Sequence, residues 1–218
     1  MNRRAFLQGA AAATAFAAPP APSPSIACPP PSRQGGIPLM QAPAPPKPPR
    51  ALAPARLSPQ QLSNLLWAAF GVNRDDGRRT APTAMNLQDT LIYVFLEDGV
   101  YLYEPSSHAL NLVLAGDHRA AAGTQEDVAK SPVCFVYVSD HARFTGARRP
   151  VTDPARIAAW SNVHAGFIGQ NVYLCAASEN LGACFRASID GPAVAKLLGL
   201  KPTQQVLYSQ TVGSPAPA

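Results

Sequence analysis

The sequence predicts an α+β domain, in which helices pack on a mixed β-sheet, for three reasons. Runs such as LIYVFL and PVCFVYVSD are rich in β-branched and aromatic residues, and the second is continuously apolar, as in a buried strand. Several other segments begin with a Ser or Asp cap followed by proline, which indicates helix starts. Strands and helices alternate without the regular βαβ rhythm of a doubly wound fold, which favours an α+β sandwich.

Residues 1–18 predict an export signal rather than part of the domain. NRRAFLQ supplies the charged zone, GAAAATAFAA a short apolar zone, and prolines follow. The apolar zone is shorter than the roughly 20 residues that a membrane-spanning helix needs, so we expect no transmembrane anchor in the mature protein. The paired arginines resemble a twin-arginine signal, whose route exports folded proteins. We therefore expect a periplasmic or otherwise exported protein.

Residues 19–56 predict a disordered, proline-rich linker. Residues 19–54 hold 14 of the chain's 24 prolines and almost no large apolar side chains. Such a segment cannot bury enough apolar surface to offset its ordering entropy. The motif SIAC, which ends at Cys28, resembles a lipid-attachment box, but Ser25 stands where a bulky aliphatic residue is expected. We expect no lipid there, and residues 57–215 have the length of one domain.

Charge and ligand spacing argue against two classes of function. The chain has a net charge of +5, and no segment combines clustered Lys or Arg with aromatic residues, as nucleic-acid binding requires. There is no Cys-x-x-Cys pair and no closely spaced His pair, so we expect neither a disulfide framework nor a metal site. The residues considered are Cys28, Cys134, Cys175, Cys184, His108, His118, His141 and His164.

The first half of the domain predicts one helix, a hairpin and a buried strand. Ser58 caps a helix that has Pro59 at its first position, Gln61 in a capping box and Gly71 at its end. LIYVFL and VYLYE, separated by residues 97–99, predict an antiparallel hairpin. We expect the polar segment AGDHRAAAGTQEDVAK to be partly helical and PVCFVYVSD to form a strand in the middle of the sheet.

The second half predicts a long helix over residues 153–180, with Asp153 as its cap. Ala165, Gly166 and Gly169 lie nearly on one stripe of this helix, which lets another backbone or a flat ring approach closely. Packing against a helix or a second chain explains that stripe at least as well as ligand contact does. CFRASID then predicts a strand or turn, GPAVAKLLGL a short helix, and QQVLYSQTVG a final strand.

The stretch RRTAPTAMNLQ and the arginine before it form the main candidate binding site. Guanidinium groups clustered after a helix suit an anion such as a phosphate. Carboxamides offer donors and acceptors to the edge of a flavin or nucleobase ring, and a threonine hydroxyl suits a ribityl or ribose group. A solvated loop, whose arginines pair with its own aspartates, is the alternative on composition alone. The candidates are Arg74, Arg78, Arg79, Thr83, Asn86 and Gln88.

Six motifs occur in an order that resembles the FMN-dependent nitroreductase superfamily. They are LSxLLWAAxGVNR, RRTAPTAxNLQ, YVF...DGVYLYEP..HAL, AGDHR, GFIGQNVYLxAASExLG and VLYSQTVGSP, and they cover nearly all of residues 57–215. The likeness is strongest to the compact branch that includes the azoline-oxidising flavin dehydrogenases. It implies a nitroreductase-like mixed sheet flanked by helices, an intertwined homodimer, and FMN bound at the interface between subunits.

The resemblance also implies which residues contact the FMN. The family's early arginines meet the flavin phosphate and ribityl chain, a role carried here to Arg74, Arg78 and Arg79 without a choice among them. Its hydroxyl and carboxamide groups correspond to Thr83, Asn86 and Gln88. Its later segment, which supplies backbone amides near the reactive flavin nitrogen, corresponds to Arg186, Ala187 and Ser188. The chemistry takes place on the flavin, so no catalytic side chain is expected.

The activity implied by the resemblance is ping-pong hydride transfer through the flavin. The acceptor would be a small organic molecule, such as a nitroaromatic or quinone-like compound, and NAD(P)H is one candidate donor. Because nicotinamide cofactors are scarce outside the cytoplasm, another reductant or an oxidase reaction stays open. His164 stands where related sequences often have an acidic residue, and the sequence lacks the basic C-terminal segment of many longer relatives, so we expect weaker cofactor binding. A catalytically inactive binding or envelope interaction module is the alternative.

Overall fold

Seven strands form one sheet in the computed structural model, which describes residues 24–38, 40–42 and 52–216. The strands are β1 (Ser25–Ala27), β2 (Thr90–Phe95), β3 (Gly99–Glu104), β4 (Ala109–Ala115), β5 (Val133–Asp140), β6 (Gly182–Arg186) and β7 (Gln204–Gly213). Their order across the sheet is β1-β4-β3-β2-β5-β7-β6. The two strands predicted with the strongest apolar character, β2 and β5, therefore lie side by side near the centre.

The predicted α+β fold class is confirmed, and the sheet proves to be antiparallel at each described pairing of named strands, where we expected a mixed sheet. Short turns join β2 to β3 and β3 to β4, and only antiparallel neighbours can be joined in this way. The pattern of β4, ALNLVLA, was not interpreted as a strand from the sequence. It completes a three-stranded meander with the predicted hairpin.

Alternate residues of the central strands face two separate hydrophobic clusters, as the two-residue period of a strand requires. On one face, Ile92 and Phe135 pack with the first and third helices. On the other face, Tyr93 and Val136 pack with the fourth helix and with short 3-10 turns. Helices thus cover both faces of the sheet, and the strands β2 and β5 are buried from both sides.

Local caps account for where the helices begin. The helices are α1 (Pro59–Phe70), α2 (Ala142–Thr145), α3 (Pro154–Ser178) and α4 (Gly191–Leu198). Ser58 and Gln61 form the predicted capping box of α1, the carboxylate of Asp153 accepts from the amide of Ala155 at the start of α3, and Asp190 caps α4. These side chains satisfy backbone N–H groups that would otherwise lack partners. The three predicted helices are confirmed, with α3 ending two residues before the expected boundary.

Part of the predicted linker packs on the domain. Strand β1 pairs with β4, and the amide of Cys28 donates to the carbonyl of His108 at 3.0 Å. Ser63 of α1 donates to the carbonyl of Pro29 and contacts Nε2 of His108 at 2.8 Å, while Nδ1 of His108 meets the hydroxyl of Tyr103 at 2.9 Å. The disordered-linker prediction therefore does not describe residues 24–38, because composition alone does not reveal the open edge of β4. The predicted export signal lies outside the described residues.

Of the three small residues on the stripe of α3, Ala165 and Gly169 pack within the chain, and Gly166 does not. Ala165 is fully buried, and a Cβ added to Gly169 would come within 2.6 Å of the ring of Phe185. At Gly169 the group that approaches is the side chain of Phe185 in strand β6, so packing within the chain, and not ligand contact, accounts for this position. A Cβ added to Gly166, by contrast, would meet nothing within 4 Å. That side of α3 also exposes Val163 and Phe167.

Candidate functional site

The predicted arginines lie on a tight turn of residues 73–79, here called the arginine turn. The amide of Asn73 donates to the carbonyl of Arg78 at 3.0 Å, and Gly77 adopts a left-handed φ of 77°, which glycine tolerates without strain. Arg74 and Arg78 are exposed at the tip, and Arg78 forms an ion pair with Asp76 at 3.3 Å. Exposed pairs of this kind contribute little stability.

Arg79 differs from its two neighbours because it turns inward. Its guanidinium lies 4.4 Å from the centre of the Phe70 ring, and its Nε is buried with no hydrogen-bond partner among the described residues. Burial lowers the pKa of Arg79, Glu104 counteracts this and Arg143 adds to it. A partly buried cation without a hydrogen-bonded anion is costly. The surroundings of Arg79 are therefore those of a group that gains stability when an anion binds.

The remaining early candidates lie on residues 80–89, here called the polar loop. Three of its non-glycine residues have left-handed φ angles, which are 51° at Met85, 55° at Asn86 and 49° at Gln88. The hydroxyl of Thr83 accepts from the amide of Gln88 at 3.0 Å. Such strained backbone in closely spaced non-glycine residues is uncommon and tends to occur at functional sites.

One side chain joins the polar loop to the arginine turn. Nε2 of Gln88 donates to the carbonyl of Gly77 at 3.0 Å and to Oδ1 of Asn86 at 3.1 Å. The six candidates that precede β2 therefore lie on two neighbouring segments that this side chain connects. Within these segments Thr83, Asn86 and Gln88 already bond to one another, and the unsatisfied charge is on Arg79.

A buried polar network underlies the polar loop, and sequence reasoning did not identify it. The carboxylate of Asp89 is fully buried, with Nδ1 of His164 2.6 Å from Oδ1 and the hydroxyl of Ser139 2.8 Å from Oδ2. The hydroxyls of Ser139 and Ser161 are 2.9 Å apart. His164 stands out in the sequence as a departure from the family pattern, but its partner Asp89 is 75 positions away.

A cavity of about 330 Å³ opens beside the polar loop, lined by Met85, Ala147, Arg148 and Arg149. The side chain of Met85 is half exposed, although it is large and apolar. Neither arginine forms an ion pair within the described ranges 24–38, 40–42 and 52–216. The signal that could have identified this basic rim is the charge cluster in HARFTGARRP, just before α3.

Residues 186–188 lie apart from the other candidates. Arg186 forms an ion pair with Asp127 and contacts the hydroxyl of Thr211, while the carbonyl of Ser188 accepts from the amide of Thr124. Ala187 and Ser188 are exposed. Within the described part of the chain, no hydrogen bond or ion pair joins this segment to the arginine turn or the polar loop. Sequence reasoning grouped all nine residues in one site, and a single copy of the chain brings together six.

The described residues contain neither a metal-binding cluster nor a helix that could span a membrane. No group of three or more His, Cys, Asp or Glu side chains there is arranged to hold a metal ion. None of the described helices combines the length and apolar character that crossing a membrane would require. The arginine turn and the polar loop together form a polar and cationic surface, which suits an anionic ligand that also has hydrogen-bond donors and acceptors.

Comparison with known proteins gives consistent matches across this region. A family model described as the nitroreductase family matches residues 49–214. A protein of Methanocaldococcus jannaschii is 30% identical over 155 residues, which are 66% of this chain and 76% of that protein. A crystal structure from Ralstonia eutropha superposes with a TM-score of 0.81 at 33% identity, covering 93% of this chain and 97% of that chain. Both carry the name "putative nitroreductase".

A more distant structure shares the fold and has a more specific name. The NADPH:FMN oxidoreductase of Vibrio harveyi, solved in complex with NAD+, superposes with a TM-score of 0.60 at 20% identity. The alignment covers 82% of this chain and 68% of that enzyme. At this level of identity the likeness establishes the fold alone.

Proposed function

This chain belongs to the nitroreductase family, whose members depend on flavin, and from that premise we propose that it is an FMN-dependent oxidoreductase. It transfers two electrons through the bound flavin to or from a small organic molecule. The acceptor class that suits this family is a nitroaromatic or quinone-like compound. NADH and NADPH are the first donors to test.

The observation that carries the proposal is the condition of Arg79. A guanidinium that is partly buried, with an Nε that has no described partner, is left unsatisfied by the protein itself. A phosphate oxygen is the natural partner, because hydrogen bonds between charged groups are about twice as strong as neutral ones. FMN carries such a phosphate, so the residues present suit this cofactor. Arg74 and Arg78 lie at the rim of the same turn and add positive charge there.

The other candidates have the chemistry to hold the rest of the cofactor. Thr83 offers a hydroxyl, while Asn86 and Gln88 offer amide donors and carbonyl acceptors on a loop held in one conformation by its own hydrogen bonds. Preorganised donors of this kind stabilise charge that develops during a reaction without having to reorient. When bound, the flavin supplies hydride or electron transfer, and the protein binds, orients and shields it. No side-chain nucleophile is required.

We also propose that two copies of the chain form the site. Helix α3 exposes Val163 and Phe167, whose side chains are 51% and 45% accessible, next to the open position at Gly166. Adjacent exposed apolar groups favour burial against another protein surface. A second copy also explains why residues 186–188 lie apart from the arginine turn, since the missing part of each site can come from the partner.

The main experiment measures bound flavin in purified protein. A yellow protein whose chromophore is released on denaturation and identified as FMN by mass spectrometry supports the proposal, as does reduction of that flavin by NADH or NADPH under anaerobic conditions. Dithionite serves as a control reductant, because it reduces bound flavin without a donor site. Colourless protein that takes up no added FMN would overturn the proposal and favour a binding module with the same fold.

We further propose that the protein acts outside the cytoplasm, supported by the twin-arginine-like NRRAFLQ motif. Attachment of a lipid at Cys28 fits poorly, because this residue packs against the main hydrophobic cluster and its backbone pairs with His108. Burial also raises the pKa of the Cys28 thiol, which reduces its reactivity. Fractionation of expressing cells and intact mass of the processed protein test both statements. A diacylated N-terminus at Cys28 would refute the second.

A further inference from the structure

We propose that His164 is a positioning residue for the flavin site: its unprotonated Nε2 accepts the amide proton of Ala84 and so holds the strained turn that presents Asn86 and Gln88. This inference rests on the proposed function for the identity of the ligand. The hydrogen-bond arrangement on which it depends can be tested without any ligand.

The protonation state of His164 follows from its two partners. The amide nitrogen of Ala84 lies 2.8 Å from Nε2, and because an amide can only donate, Nε2 carries no proton. A neutral imidazole then has its proton on Nδ1, which lies 2.6 Å from Oδ1 of Asp89 and donates to it. His164 is 2% exposed, so water cannot substitute for either partner.

The rest of the network fixes this orientation of the ring. The Asp89 carboxylate, as an acceptor, receives the Nδ1 proton at Oδ1 and the hydroxyl proton of Ser139 at Oδ2. The hydroxyl of Ser161 then donates to the oxygen of Ser139. Phe144 lies nearly parallel to the imidazole, with 6.3 Å between the ring centres. Each donor in this network therefore has an acceptor, and the series of hydrogen bonds ends at the amide of Ala84.

The backbone that follows Ala84 needs support from outside the loop. Met85 and Asn86 both adopt left-handed φ angles, a conformation that costs free energy for residues with a Cβ and persists only where surrounding contacts hold it. The bonds from Asn86 and Gln88 amides run to Thr83, inside the same loop. In the described part of the chain, His164 is the only side chain outside the loop that bonds to the backbone of residues 83–88.

Two substitutions separate the two bonds of the imidazole. His164→Asn places an amide nitrogen near the position of Nδ1, so it keeps the donor to Asp89 and removes the acceptor for Ala84. His164→Gln places an amide oxygen near the position of Nε2, so it keeps the acceptor and removes the Nδ1 donor. A role in positioning the loop predicts that the Asn variant loses ligand affinity while the Gln variant retains it. A role confined to core stability does not predict that the Asn variant binds the ligand more weakly than the Gln variant.

The measurements are the dissociation constant of FMN and the thermal midpoint of the apoprotein, for the full chain and both variants. We expect His164→Asn to bind FMN roughly tenfold more weakly, the change that corresponds to the net loss of about one hydrogen bond. His164→Gln should bind within about threefold of the natural protein, even where its thermal midpoint is lower. Equal affinities in both variants, or weaker binding by the Gln variant alone, would overturn the proposal.

Two further measurements need neither a ligand nor a substitution. Nitrogen NMR of the imidazole should show neutral His164 with its proton on Nδ1, and hydrogen exchange should show a protected amide at Ala84. A proton on Nε2, or rapid exchange at Ala84, would refute the positioning role even where the variants fail to fold. If the natural protein takes up no FMN, the proposed function fails, while these two results still decide whether His164 holds the loop.

Discussion

Replacing Arg79 with methionine removes the guanidinium and keeps an unbranched apolar stem beside the ring of Phe70. In the apoprotein this change removes a cation whose pKa is lowered by burial and whose Nε has no described partner. It also removes the cation–π interaction between the guanidinium and the Phe70 ring, which are 4.4 Å apart. We therefore expect a small effect on the free protein and a large effect on cofactor binding.

The substitution should change the stability of the apoprotein much less than it changes the affinity for FMN. A cation–π contact contributes roughly 0.5–1 kcal/mol at partly exposed sites, and the desolvation of the charge opposes it, so apoprotein stability should change by about 1 kcal/mol or less. A hydrogen bond between charged groups contributes roughly 1.5–3 kcal/mol. Its loss corresponds to FMN binding that is weaker by about 10- to 150-fold.

Fluorescence titration of apoprotein with FMN measures the affinity, and urea unfolding of the same samples measures stability. Arg78→Met is the matched control, because Arg78 is on the same turn but is exposed and paired with Asp76. It should bind FMN within a few-fold of the natural protein. Equal losses in both variants would mean that overall charge, rather than the inward position of Arg79, governs binding. Unchanged affinity in Arg79→Met would remove this residue from the site.

Three further outcomes test the core, the proposed interface and the response to pH. Asp89→Ala leaves Nδ1 of His164 and the hydroxyl of Ser139 without their buried acceptor, so the free energy of unfolding in urea should fall by roughly 3 kcal/mol; an unchanged value would contradict the network. Phe167→Asp places a charge on the exposed face of α3, so in sedimentation the variant should be monomeric while the natural protein sediments as the proposed dimer. Dimers that persist in the variant would exclude this face. Burial lowers the pKa of His108, so the unfolded chain binds more protons than the folded one below about pH 6.5, and stability should fall on acidification. His108→Gln should flatten that slope between about pH 7 and 5, and an unchanged slope would mean that other groups dominate.

The helices and the central strands were predictable because their signals are local. Ser58 with Gln61, and Asp153 with the proline after it, satisfy N–H groups within three residues of themselves, so adjacent letters of the sequence suffice. The β-branched run of β5 is buried on both faces wherever it lies in the sheet. Strand β1 gave no such signal, because its three residues form a strand only beside the open edge of β4, more than 80 positions away.

The candidate site was only partly predictable, for a related reason. The sequence identified the types of residue in RRTAPTAMNLQ, since guanidinium, hydroxyl and carboxamide groups have the same chemistry in any fold. It did not separate Arg78 from Arg79, because adjacent residues of one type differ only in which side of the turn they face. The cavity beside Met85 was likewise missed, since its arginines come from a loop about 60 residues further along the chain.

By itself, therefore, the sequence determined the caps, the strand and helix content, the position of the polar loop and the chemical class of ligand that its side chains suit. These properties depend on residues close together in the chain. Only the tertiary structure decided which arginine of the turn has a buried Nε without a described partner, and that Asp89 meets His164 beneath the loop. Both depend on burial, which removes water as an alternative partner and is produced by segments that are distant in sequence.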